Sequence, residues 1–132
     1  MADTWIVSCN VKAFDVVEHL SDSDTFVMKR TRPIANDDLV YLYVGKPYGR
    51  LMYLCRVLDS HVSDEELEAN SYAKVDKCLA RSSGYMKLKM LETLPDNGMT
   101  YADLRENGVG QLQNPSRLGA KTLRYIERKI KK

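Results

Sequence analysis

The sequence predicts an α+β fold: a mainly antiparallel, strongly curved sheet or barrel of five or six strands, flanked by short helices and an amphipathic C-terminal helix. Three observations carry this. Residues 39–44 are apolar or aromatic at every position, and Leu39, Tyr41 and Tyr43 face one way while Val40, Leu42 and Val44 face the other, so this strand is buried on both faces. Met86, Leu88 and Met90 alternate with Lys87 and Lys89, the pattern of a strand with one wet face. Leu123, Ile126 and Ile130 recur at helical spacing near the C-terminus, with Lys121, Arg124, Arg128, Lys131 and Lys132 on the opposite side.

The elements follow in order. Residues 4–9 read as a first strand, ending at the turn-friendly Asn10. Phe14, Val17 and Leu20 lie at helical spacing, so a short helix follows. Residues 21–24 form a polar turn, and residues 25–28 are strand-like up to Lys29-Arg30-Thr31-Arg32, where Pro33 stops regular hydrogen bonding. Asn36-Asp37-Asp38 is a turn that fixes the start of the central strand. Residues 45–49 contain two glycines and a proline, which turns the chain into a return strand with Leu51, Tyr53, Cys55 and Val57 on one face. The acidic stretch 59–83 carries a capping-box pattern at Ser63 and Glu66 and is expected to hold one or two short helices. Thr100 with Asp103 caps a helix that Gly108 ends, and residues 118–131 form the last helix.

The 132 residues suit a single domain, residues 1–132, with a core of its own. No apolar run approaches the roughly 20 residues of a membrane span, and the N-terminus has no signal-peptide pattern. Cys9, Cys55 and Cys78 are widely spaced, which excludes Cys-x-x-Cys zinc and redox motifs and is read as reduced thiols in a cytoplasmic protein. The net charge of +2 is unevenly spread: residues 115–132 hold seven Lys or Arg against one acid, a net of +6, and the remainder is −4. A basic end suits a polyanion, and it equally reads as a solvated face.

Catalytic signatures are missing. His19 and His61 belong to no metal-ligand or triad spacing, and Asp37-Asp38 and Glu65-Glu66 read as turns and helix starts. No enzyme, cofactor or metal is expected. A hydrolase or transferase would need a pocket that brings His19 or His61 beside a carboxylate. A binding module fits better: Ser8, Asn10, Phe26, Lys29, Arg30, Tyr43 and Tyr48 supply stacking faces, cations and amide or hydroxyl groups. Trp5, Tyr41 and Tyr43 have core alternatives, whereas Lys29, Arg30 and Arg32 repel one another unless an anion offsets them.

Trp5-Ile6-Val7 with Asn10, the short helix after it, Ile34 with Asp38-Leu39-Val40-Tyr41-Leu42-Tyr43, the return strand, and Gln111, Gln113-Asn114-Pro115 with Arg117-Leu118 resemble, in this order, the EVE domain of the PUA-like superfamily, a relative of YTH and ASCH domains. The family's usual Gly-Asp is Asp37-Asp38 here, and its common tryptophan after the first helix is Phe26. The resemblance implies a small antiparallel barrel that binds nucleic acid, DNA or RNA, with 5-methylcytosine or 5-hydroxymethylcytosine flipped into a pocket. It implies Ser8 and Asn10 at the base edge, Phe26 and Tyr43 as walls with Tyr48 nearby, Lys29 and Arg30 at the phosphate or a polar base edge, and Gln113, Asn114 and Arg117 at the mouth. Arg32, Lys46, Lys121, Arg124 and Arg128 are the expected phosphate contacts. The expected assembly is a monomer off the membrane, with any nuclease or other effector supplied in trans. The alternatives are a small-molecule or peptide module using the same pocket, and an RNA-binding PUA/ASCH-like domain.

Overall fold

A computed structural model describes residues 3–9, 16–29, 32–45, 48–62, 85–95, 99–110 and 115–130, with the side chain of Lys29 excepted. Of the acidic stretch expected to hold one or two short helices, residues 63–83, Cys78 among them, lie outside the described residues. The described elements run β1 (Thr4–Cys9), α1 (Val16–Asp22), β2 (Thr25–Lys29), β3 (Leu39–Val44), β4 (Arg50–Asp59), β5 (Tyr85–Thr93), α2 (Tyr101–Glu106), β6 (Ser116–Arg117) and α3 (Ala120–Ile130).

All six strands join one sheet in the order β2-β5-β4-β3-β1-β6. The two-sided apolar run, β3, sits inside it between β4 and β1, as its pattern demands. Every pairing is antiparallel except β1 with β3, which run parallel with Trp5 opposite Val40 and Ser8 opposite Tyr43. The expected barrel is an open sheet. β2 and β6 are its two ends, and β6 has only two residues with which to extend pairing.

Side-chain alternation splits the apolar residues into two cores. The first contains Trp5, Val7, Val40, Leu42, Val44, Cys55, Val57, Met86, Leu88 and Phe26, and α1 contributes Val16 and Leu20. The second contains Ile6, Tyr41 and Leu51, covered by Leu104 of α2 and by Tyr125 and Ile126 of α3. Three residues have no partner opposite: Met52 where β4 meets β3, and Leu58 and Leu91 where β4 meets β5. These are bulges, each adding one residue to its strand. Met52 stays in the first core, whereas Leu58 and Leu91 are exposed.

α2 begins at a capping box, with Asp103 N–H donating to Thr100 Oγ1 at 3.3 Å and Thr100 N–H donating to the Asp103 carboxylate at 3.3 Å. It ends at Gly108, whose φ of +108° suits glycine, and a Cβ there would meet Thr122 Oγ1 of α3 at 2.7 Å. Thr122 Oγ1 donates to the Asn107 carbonyl at 2.7 Å, so the end of α2 sets the position of α3.

Candidate nucleic-acid interface

Three of the five residues expected at phosphate, Lys121, Arg124 and Arg128, share the outer face of α3. Thr122, Tyr125 and Ile126 are buried against the sheet, which leaves Lys121, Arg124 and Arg128 on the other side. These three cations, with Glu127, line one groove of about 360 Å³. A second groove, on the flank toward α2, is lined by Asn107, Tyr125, Arg128 and Lys129, so Arg128 belongs to both. Lys129 also lies 5.9 Å from the centre of the Tyr125 ring. Cations in the last turn oppose the partial negative charge of the helix C-terminus, which stabilises the helix independently of any ligand.

Three surface ion pairs lie elsewhere: Arg56 with Asp37, Lys89 with Asp24 and Arg117 with Asp3. Among the described residues, the side chains of Lys121, Arg124, Glu127 and Arg128 make no hydrogen bond or ion pair. Arg124 and Arg128 are one helical turn apart, a like-charge spacing that costs a few tenths of a kcal/mol. An anion along the groove removes that cost.

Of the residues expected to line a base pocket, two are brought side by side. Ser8 and Tyr43 are register partners on β1 and β3, both half-buried. Burial raises the pKa of the Tyr43 phenol, while a hydrogen bond from the Tyr101 backbone acts against that rise. Phe26 is elsewhere: it is 0% exposed in the first core, whereas Tyr43 packs against the second. Paired with Leu88 of β5, it is a core residue and not a pocket wall. Tyr48 and Arg32 are exposed. Asn10, Arg30, Lys46, Gln113, Asn114 and the Lys29 side chain lie outside the described residues.

Arg117 is tied to β1 and its approach by two contacts. Its guanidinium lies over the Trp5 ring, 5.0 Å from the centre, and pairs with Asp3 at 3.4 Å. The Trp5 indole N–H donates to Asp38 Oδ2 at 2.9 Å, and the backbone N–H groups of Asp3 and Ala35 donate to the same carboxylate at 3.0 and 2.9 Å. Asp38, read from sequence as a turn residue, is 4% exposed. Burial alone would raise its pKa, but the bonds from Ala35, Asp3 and Trp5, with Arg117 nearby, hold it below the usual carboxylate range. The available signal was Trp5: a buried indole N–H needs an acceptor.

The histidines serve local structure. His19 Nε2 lies 2.6 Å from the Thr25 carbonyl oxygen, which ties α1 to β2. His61 Nδ1 lies 2.9 Å from Ser60 Oγ, while the neighbouring Asp59 carboxylate accepts the His61 backbone N–H and not the ring. Neither histidine lines a groove on α3. Burial pushes the Cys55 thiol up to about 12, so it stays a neutral core group. Among the described residues there is no cluster of metal ligands, and no helix is long and apolar enough to cross a membrane.

Among solved structures, a serine-to-alanine mutant of an ASCH protein from Zymomonas mobilis superposes with a TM-score of 0.66 over 96% of this chain and 95% of its own, at 10% identity. The fold is that of the ASCH proteins. A hypothetical protein from Leishmania major is similar over 99% of this chain and 96% of its own, with a TM-score of 0.64 and 14% identity. A protein of Rhodopseudomonas palustris matches over 98% and 94%, with a TM-score of 0.64 and 8% identity. No family model matches the sequence, and no curated protein does. The likeness is one of fold, to ASCH structures among others.

Proposed function

We propose that this chain is a nucleic-acid-binding domain whose phosphate contacts run along α3, with RNA as its polymer. The observation that carries the reading is the groove on which Lys121, Arg124 and Arg128 converge without internal ion pairs. The ASCH-like fold supports it. The chain acts as a reader, and any cleavage of the polymer belongs to a partner protein. Recognition of 5-methylcytosine or 5-hydroxymethylcytosine is the finer form of the same reading, resting on Ser8 and Tyr43, which stand side by side.

The test is a panel of short RNA and DNA oligonucleotides, with and without modified cytosines, titrated at several salt concentrations. Affinity for a polyanion held by three cations falls with salt, the logarithmic slope being about 0.7 per phosphate contact for single strands and about 0.9 for duplex. An affinity indifferent to salt would point instead to the small-molecule or peptide reading.

A further inference from the structure

We propose, resting on the nucleic-acid reading above, that Glu127 is the base-reading residue of the α3 groove and that it selects guanine in a single strand. A groove made only to attract phosphate has no use for a carboxylate, yet Glu127 lines it together with the three cations. Glu127 is exposed, and among the described residues no Lys or Arg pairs with it, although Arg124 lies three residues before it and Arg128 directly after it. Its charge is therefore available to a ligand.

Its place on the helix separates it from the cations. At about 100° per residue, Lys121, Arg124 and Arg128 fall within an arc of about 60°, and Glu127 lies about 60° beyond Arg124, away from Tyr125. Lys121 and Arg128 are about 10 Å apart along the axis, enough for a strand to rest successive phosphates on the arc. A base unstacked toward the Arg124 side of that arc meets Glu127. The Glu127 carboxylate is also felt by Tyr41 in the sheet below: burial first, then the negative charges of Glu127 and Glu92, push that phenol up.

A carboxylate presents two acceptor oxygens and no donor. Among the four bases, guanine alone offers two adjacent N–H donors on its Watson–Crick edge, the ring N1–H and the 2-amino group. Adenine, cytosine and uracil offer one donor beside an acceptor, which a carboxylate repels. Recognition in single strands uses this edge, because duplex pairing hides it.

The test uses the whole chain and short uridine oligonucleotides carrying one central guanosine, adenosine, cytidine or inosine. The wild-type protein should bind the guanosine oligonucleotide at least about fivefold more tightly than the others, the low end of a bidentate contact. Inosine keeps N1–H but lacks the amino group, so it should lose most of that advantage. Glu127→Gln should move the two readouts in opposite directions: affinity for the other oligonucleotides holds or rises, because a negative charge has gone, and the guanosine preference collapses. Melting temperature should not change, since the side chain is exposed. Equal wild-type affinity for all four, or a guanosine preference that survives Glu127→Gln, would overturn the assignment while leaving the phosphate surface standing. Absence of salt-dependent binding to every oligonucleotide would overturn the nucleic-acid reading itself.

Discussion

Asp38 keeps its charge in a nearly dry position because three N–H groups converge on it. Its pKa in the folded protein lies below the ordinary value of 3.8, so below that value the unfolded chain binds the proton more readily than the folded one. The stabilisation is therefore complete above the ordinary value and is lost as pH falls through the folded value. Asp38→Asn should remove this part of the acid sensitivity and cost about 1–3 kcal/mol at neutral pH, because the new amide sets its own N–H groups against three donors. Acid and urea titrations followed by the fluorescence of Trp5, the single tryptophan, would measure both. Phe26→Ala should cost about 3–5 kcal/mol of stability with oligonucleotide affinity intact, since the ring fills the first core. Denaturant melts paired with a binding titration check this. Both residues show how far a sequence can be read. An aromatic ring after a helix has the same composition whether it faces ligand or core. An Asp before a strand looks like a turn until the distant Trp5 and Ala35 are brought to it.

Elements with a strong local code were readable from the chain. The alternation of Met86, Leu88 and Met90 gave β5, the Thr100–Asp103 pair gave the start of α2, and Leu123, Ile126 and Ile130 gave the inward side of α3. Charge placement on α3 was equally readable, because a helix face follows from spacing alone; the carboxylate among the cations was not singled out. Reversing charge at Arg124 and Arg128 together should weaken binding to all oligonucleotides alike and flatten the salt slope by about 0.7–0.9 for each phosphate no longer held. Binding isotherms at three or more salt concentrations would show it, and unchanged binding would reduce the stripe to a solvated, dipole-matched face. Thr100→Ala should remove the cap and cost about 0.5–2 kcal/mol, measurable by thermal melting.

At the scale of the whole molecule, one sheet separates two cores, and neighbouring residues of the same strand belong to different ones, as Trp5 and Ile6 do. Neither core can dissolve without flipping or fraying strands that the other needs. Unfolding followed by Trp5, which reports the first core, should therefore coincide with unfolding followed by tyrosine near-ultraviolet dichroism, where Tyr41 and Tyr125 report the second. Separate midpoints would mean that the cores melt independently. Strand order and the parallel β1–β3 pairing did not follow from sequence, because alternation assigns a side to each residue but does not choose a neighbour. Nor did it reveal that the sheet stays open. The three unmatched residues, Met52, Leu58 and Leu91, bear on how this chain can change length. A strand keeps its sides by counting in twos, so losing one residue from β4 or β5 exchanges inside for outside along everything beyond the cut. At these three positions the count already carries one extra, and excising it leaves every remaining side chain on its present side. Deletion of Leu91 should thus give a folded protein, whereas deletion of Leu88, three residues away, should not. The two exposed bulges, at Leu58 and Leu91, are the places where deletion of a single residue can enter this sheet and be tolerated.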